Sequence, residues 1–400
     1  MRRISITFFA FILFAICSFA QEVVIKGKII DTHNRQPVMF ATIKIVGEPY
    51  GTITDDEGIF SLALTQKDVT LSIREVGYKE KTLKSTDFKE GDIKIITLVP
   101  TQRFLKEVTV TALTPQAILK RAYKSIKHNY ICEKYGVDLL SCSIVKINDT
   151  IRNMVFKSGV YTKAGYMKGL SNDKFSSRHT FVIASDTAFA KPWGQWDKVN
   201  WSYLSNVDWN DINGIDDDLE WIDECDISID SVCDSIDSYY ILTSRSRRPQ
   251  VKDKEFIYQI PAITRYYICC SDLAFVKQES VLDSVQTDYV KYLNDDQKKK
   301  FTAFYSVVRW ERVNGKYCMT NAFQKYKYLT LVKINREQQE LKNEYKGFVQ
   351  VNNVMSKKEA KRYSEKFVVR QEKLSQMIKL KEFIPLLLEE NDYFLLSEKN

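Results

Sequence analysis

The strongest constraint on this chain is the pattern between Val23 and Thr111, where short β-branched runs are cut again and again by turn residues. Val23–Ile30 reads as a strand and Asp31–Pro37 as a turn. Ala41–Val46, Gly51–Thr54, Ile59–Leu64, Val69–Ile73, Tyr78–Leu83, Ile93–Val99 and Glu107–Thr111 continue the series. Within Ala41, Ile43 and Ile45, and again within Phe60, Leu62 and Leu64, apolar residues recur with period two. One buried face per strand is what a two-sheet sandwich requires. Asp55-Asp56-Glu57-Gly58 reads as a tight turn in which Gly58 supplies a positive φ.

An ordered set of residues in this stretch goes further. Gly27-Lys28-Ile29-Ile30-Asp31, Pro37, Ala41-Thr42-Ile43 and Gly51-Thr52-Ile53-Thr54-Asp55 come first. Gly58-Ile59-Phe60-Ser61-Leu62, Gly77-Tyr78 and Leu105-Lys106-Glu107-Val108-Thr109-Val110 follow. Together they resemble the carboxypeptidase regulatory-like family. The resemblance implies a transthyretin-like β-sandwich over residues 21–112, of the kind that opens many bacterial envelope proteins, outer-membrane nutrient receptors included. In metallocarboxypeptidases the related module is an accessory to the zinc enzyme and not the enzyme, so the resemblance implies no catalysis here.

Ahead of the sandwich, Met1-Arg2-Arg3 supplies a positive start and Ile4–Cys17 an apolar run. Ser18-Phe19-Ala20 then offers the small residues that a signal peptidase reads, so residues 1–20 are expected to be a signal peptide cleaved before Gln21. The run is too short to span a bilayer comfortably, and Ile16 stands where a lipobox needs a small residue before Cys17. The expected location is therefore the periplasm or the outer-membrane surface, with no transmembrane helix in the mature chain.

At 400 residues the chain is long enough for a second domain, expected over residues 113–400. Thr114-Pro115 is a helix start, with threonine as cap and proline at the first helical position, and Ile118, Leu119, Ala122 and Ile126 share one face through His128. Similar envelope proteins also follow the sandwich with a helix and a strand-rich domain of uncharacterised role. Expected strands are Leu139–Lys146, Met154–Tyr161, Thr180–Ile183, Tyr239–Thr243, Glu255–Tyr258, Thr264–Cys270, Phe275–Leu282 and Phe301–Val313. Lys316–Lys333, broken by a turn, and Tyr345–Val351 complete the set, with Val313-Asn314-Gly315-Lys316 as a hairpin turn. Ser356–Ser364 and Lys373–Leu388 read as helical or irregular. The expected fold class is mainly β: an N-terminal transthyretin-like β-sandwich, a linking α-helix, then a larger antiparallel β-rich (α+β) domain. A small outer-membrane barrel is the alternative, which the shortness of most of these strands disfavours.

The chemistry is sparse. Three histidines, His33, His128 and His179, stand in no zinc-peptidase pattern, and neither a nucleophile elbow nor a phosphate loop is present. No catalytic residue, cofactor or metal ligand is assigned on this basis. Residues 209–220 carry several ligand types of a calcium loop, but Trp209 occupies the leading position that needs Asp. Once Cys17 is set aside, seven of the eight cysteines remain, and the spacings of Cys132/Cys142 and Cys225/Cys233 leave pairing open. The net charge of +8 is concentrated in residues 294–380 while residues 208–237 are acidic. A solvated basic face is the plainer account of that excess, and no nucleic-acid motif accompanies it.

Two composite features are candidate binding or modification sites. Trp193, Trp196, Trp201 and Trp209 are interleaved with carboxylates, which suits a sugar platform in which rings stack on sugar C–H faces. The plainer account is a long loop pinned to the sheet by its tryptophans. Asp-Ser/Thr-apolar triplets at Thr150, Thr187, Ser231, Ser235 and Ser284 resemble the acceptor motif of an O-glycosylation system for exported proteins. The function expected is a non-enzymatic envelope role in binding or scaffolding, with a glycan or another envelope protein as partner. A glycan-binding protein acting through residues 193–221 and an unrecognised hydrolase are the alternatives.

Overall fold

The computed structural model describes residues 23–47, 51–55, 57–64, 68–89, 91–101, 113–163, 165–166, 174–184, 219–233, 239–246, 251–253, 256–257, 262–283, 290–292, 298–334 and 337–365. The chain divides into two compact units that part at Pro100 and Thr101.

Among the described residues the first unit has seven strands: β1 (Val23–Asp31), β2 (Thr42–Ile45), β3 (Gly51–Ile53), β4 (Ile59–Leu64), β5 (Thr70–Arg74), β6 (Lys81–Lys84) and β7 (Ile93–Leu98). They form a three-stranded sheet ordered β4-β1-β7 and a four-stranded sheet ordered β3-β2-β5-β6. The alternation read from the sequence is the alternation observed. Ile25 and Ile29 of β1 and Phe60, Leu62 and Leu64 of β4 are buried, as are Ile43 and Ile45 of β2 and Leu71 and Ile73 of β5. Glu107–Thr111 lies outside the described residues.

The Asp55–Gly58 turn forms for identifiable reasons. The Asp55 carboxylate accepts from the backbone N–H groups of Glu57 (2.9 Å) and Ile59 (2.7 Å), and Gly58 has φ +74°. A Cβ on Gly58 would also come within 2.5 Å of the Ile29 carbonyl oxygen, which is main chain and cannot swing aside. Gly47 shares the positive φ, at +87°, but a Cβ there would meet nothing within 4 Å. Gly47→Ala should therefore cost only the left-handed backbone penalty, about 1–2 kcal/mol. Gly58→Ala should cost visibly more, because collision with β1 is added. Denaturant midpoints of the two variants measure the difference, and equal shifts would contradict this account of the turn.

In the second unit, α1 (Pro115–Asn129) starts as read: Thr114 Oγ1 accepts from the Ala117 N–H at 3.2 Å, with Pro115 just inside. Ile118, Leu119, Ala122 and Ile126 are fully buried in one apolar core with Val137, Leu139, Tyr266, Phe275, Trp310 and Met319. Polar contacts fix the helix at its C-terminal half, where Ser125 Oγ donates to the Leu273 carbonyl (3.0 Å) and Asn129 Nδ2 to that of Asp272 (2.7 Å).

The strands of this unit are β8 (Tyr135–Ile147), β9 (Thr150–Lys163), β10 (Lys174–Ala184), β11 (Cys225–Cys233), β12 (Tyr239–Ser246), β13 (Val251–Asp253) and β14 (Phe256–Ile257). β15 (Ala262–Cys269), β16 (Phe275–Leu282), β17 (Val290–Tyr292), β18 (Lys298–Val313), β19 (Lys316–Ile334) and β20 (Glu337–Ser356) complete them. Ten make one antiparallel path, β10-β9-β8-β20-β19-β18-β16-β15-β12-β11, with β13, β14 and β17 attached beside β18. The Val313–Lys316 hairpin is tight as expected: Val313 pairs with Lys316, while Asn314 and Gly315 have φ of 50° and 81°. An equivalent turn at Asn148-Asp149 joins β8 to β9.

Two expectations are corrected. β19 is unbroken from Lys316 to Ile334, because it is hydrogen-bonded along both sides, to β18 through Thr330 and to β20 from Asn321 onward. Pairing on both edges holds the Gln324–Lys327 stretch extended despite its polarity. β20 likewise begins at Glu337, well before Tyr345. Its polar first half is recruited by register with the end of β19. Of the two stretches read as helical or irregular, Ser356–Ser364 is helical, as α2 (Lys357–Ser364) capped by Ser356, whose Oγ accepts from the Glu359 N–H, and Lys373–Leu388 lies outside the described residues. No helix among the described residues is long and apolar enough to cross a membrane.

Candidate functional site

Trp193, Trp196, Trp201 and Trp209 lie outside the described residues, as do Thr187, Ser235, Ser284 and the calcium-like loop up to residue 218. Trp221, next along, sits in a 3-10 turn (Glu220–Glu224) and meets Tyr123 of α1 edge-on, with ring centroids 5.7 Å apart. Ser231 is in β11 opposite Ile241. Thr150 is half-buried at the start of β9, directly after the Asn148-Asp149 turn.

Neither short-range cysteine pairing is made. Cys132 and Cys225 are free thiols, and so are Cys269, Cys270 and Cys318. Cys225 and Cys233 are the two ends of β11, so extended geometry holds them about 26 Å apart, far beyond disulfide reach. Cys142 lies in the middle of β8, while Cys132 precedes that strand and its Sγ rests 3.5 Å from the Lys127 and Tyr130 carbonyls at the end of α1. Among the described residues no three His, Cys, Asp or Glu side chains gather as a metal site. His33 and His128 are exposed in different units.

The structure gathers a site that no local sequence pattern marks. A cleft of about 920 Å³ lies where the start of β8, the end of β20, the β18–β19 turn and the first turn of α2 converge. Helix α2 is seated there by close packing. Ala360 lies against Gly136, where an added Cβ would come within 2.3 Å of the Ala360 Cβ, and Tyr363 donates to Asp138 at 3.4 Å. Ile131, Val354 of β20 and Val313 at the end of β18, all half-buried, contribute apolar atoms, while Tyr135 and Met355 also line the cleft but are themselves buried and project from opposite faces of the sheet. The charged lining is unequal: Lys134, Lys316, Lys357 and Lys358 against Glu133 and Glu359.

Two more lysines than glutamates line the cleft. Glu359 closes a capping box on Ser356, accepting from its backbone N–H at 2.8 Å. The hydrogen bonds from Ser356, side chain and then backbone, hold its carboxyl below the usual glutamate range. Lys316 donates to the His128 carbonyl oxygen. Among the described residues Lys134, Lys357 and Lys358 have no ion-pair partner, and Lys357 and Lys358 are exposed. Such an arrangement can hold a negatively charged group beside an apolar surface.

Comparison with known proteins bears on the first unit. Residues 25–110 match the CarboxypepD_reg-like domain family. The TonB-dependent receptor SusC of Bacteroides thetaiotaomicron is 34% identical over 83 residues, which is 21% of this chain and 8% of that protein. Among solved structures, a LolA superfamily protein from Nitrosomonas europaea aligns at 10% identity over 61% of this chain and 94% of its own, with a TM-score of 0.21. A Bacteroides fragilis protein described as membrane-associated and of unknown function aligns at 10% identity over 84% and 99%, with a TM-score of 0.15. The match over residues 25–110 and the seven-strand sandwich agree, and this part of the chain is a carboxypeptidase regulatory-like domain.

Proposed function

We propose that this chain is a non-enzymatic envelope protein, in which the regulatory-like sandwich is an accessory and the β-rich unit binds a ligand in the lysine-rimmed cleft. The observation that carries the binding role is the cleft itself. Its volume is that of a small-molecule site, and it combines the half-buried apolar side chains of Ile131, Val313 and Val354 with three ammonium groups that have no ion-pair partner among the described residues. Envelope placement is supported by the regulatory-like domain, by the partial likeness to an outer-membrane receptor, and by the signal-like character of residues 1–20. The glycan reading rests on tryptophans outside the described residues, and no feature of the cleft favours it.

Cell fractionation of the full chain should place it with the periplasm or outer membrane, and a cytoplasmic pool alone would overturn the placement. Protein recovered from that fraction, denatured and extracted, should release a retained small molecule by mass spectrometry. A Lys357→Glu/Lys358→Glu variant should release much less. Extracts of the two proteins that match, with nothing retained, would overturn the binding role.

A further inference from the structure

Alternation along β1 buries Ile25 and Ile29 and turns Val24, Lys26, Lys28 and Ile30 away from the sandwich core. On β7 it buries Ile96 and Leu98 and turns Ile93 and Ile95 the same way. The parallel register sets Ile93 beside Lys26 and Ile95 beside Lys28. Ile93 is 51% exposed, and Ile95, at 65%, is the most exposed large apolar side chain among the described residues. Val24 and Lys26 are exposed as well, and Lys28 is half-buried. Neither β1 nor β7 turns a carboxylate to this side, and β4 presents Ile59 and Ser61 there, opposite Lys28 and Lys26. We infer that this face docks on an anionic bilayer surface. Ile93, Ile95 and Val24 enter the boundary between head groups and acyl chains, and Lys26 and Lys28 reach the lipid phosphates.

Charge and residue type select this occupant over the others. In a two-fold pairing of this face, a second copy would bring its own Lys26 and Lys28 against the first pair with no carboxylate between them. Protein–protein interfaces are built around aromatic and arginine anchors and are depleted in lysine. The outward side of β1 and β7 has no aromatic ring and no arginine. Aliphatic side chains interleaved with lysines suit a lipid surface, where the lysine stems lie along the apolar groups and the ammonium ions stay at the phosphates. The docking face lies in the sandwich and uses no residue of the cleft, so the two can be tested separately.

Sedimentation of the purified protein with sucrose-loaded vesicles tests the inference. Binding to phosphatidylethanolamine–phosphatidylglycerol vesicles should exceed binding to phosphatidylcholine vesicles by at least about tenfold, and added salt should weaken it. Ile93→Ser/Ile95→Ser and Lys26→Gln/Lys28→Gln should each lose at least about tenfold in partition to the anionic vesicles. All variants keep residues 1–20 as the parent has them, so that stretch cannot account for a difference. Val46→Ser, which removes an exposed apolar side chain just after β2, is the matched control and should bind as the parent does. If the serine variant melts early, Ile93→Thr/Ile95→Thr replaces it, since threonine keeps the β-branch that a strand favours. Absence of vesicle binding, equal binding to the two vesicle types, or variants that bind undiminished would overturn the inference. An equal loss in Val46→Ser would overturn it too, by marking general stickiness. So would a dimer that the isoleucine variant dissociates, or a protein captured in place of lipid by a photocrosslinking residue at position 95, either of which would give the face another occupant.

Discussion

Trp310→Ala should lower the stability of the β-rich unit by about 3–5 kcal/mol, the cost of deleting a fully buried large aromatic from a core that cannot collapse around the gap. Trp310 is 2% exposed near the end of β18, and its ring lies 6.5 Å from that of Phe275 in the core that also buries the apolar face of α1. Trp221 is the matched control. It is 40% exposed and touches Tyr123 through one edge-on contact, so Trp221→Ala should cost only about 1 kcal/mol. Denaturant unfolding followed by far-UV circular dichroism reads both, free of the changes in tryptophan emission that the substitutions themselves cause. A Trp310→Ala shift no larger than that of Trp221→Ala would contradict the packing of α1 against β16 and β18.

How much of this was legible in the sequence depends on whether the deciding interactions are local. The sandwich was legible because each strand carries its own signature: Phe60, Leu62 and Leu64 alternate within six residues and need no partner to reveal the buried face. Helix α1 was legible because Thr114, Pro115 and the spacing of Ile118, Leu119, Ala122 and Ile126 all lie within one segment. The first half of β20, Glu337–Glu344, has no such signature. Its extended form follows from pairing with β19 along its whole length, and β8 joins only at Asn343 and Glu344. β11 was missed because Asp226 and Asp230 drew attention to charge and away from the alternation of Ile227 and Ile229. The cleft was invisible for a related reason. Lys134, Lys316 and Lys357 each read as ordinary solvated cations, and only the β8–β20 and β18–β19 pairings bring them to one place.

The local pairing of β15 with β16 creates a buried ionic cluster whose disruption should have an equally large effect. Lys277 and Glu279 project from the same face of β16, with Arg265 and Tyr267 opposite them on β15. The Lys277 ammonium contacts the Glu279 carboxylate and lies 4.9 Å over the Tyr267 ring. The Tyr267 hydroxyl donates to Glu279 at 3.0 Å, and Arg265 lies 3.7 Å away on the more exposed side. The side chains of Lys277 and Glu279 are only 5% and 16% exposed. Burial pushes the Glu279 carboxyl up, but the charge and hydrogen bond of Lys277, the charge of Arg265 and the Tyr267 hydroxyl outweigh it and hold the pKa below 4.5. Glu279→Gln removes the negative charge and leaves the Lys277 ammonium buried, which should cost about 3–5 kcal/mol at neutral pH. Lys277→Met combined with Glu279→Leu should recover most of that loss, because neither charge then needs solvation. The sign of the pH dependence follows from the depressed pKa. Wild-type Glu279 contributes its full stabilisation above the unfolded value near 4.5, and loses it as pH falls through the lower folded pKa. The stability gap between wild type and Glu279→Gln should therefore be constant from pH 7 to about pH 5 and narrow below that. Urea unfolding across this range measures it. A gap that is small at pH 7, or that persists undiminished into acid, would show that the pair is not the buried, mutually stabilised one described.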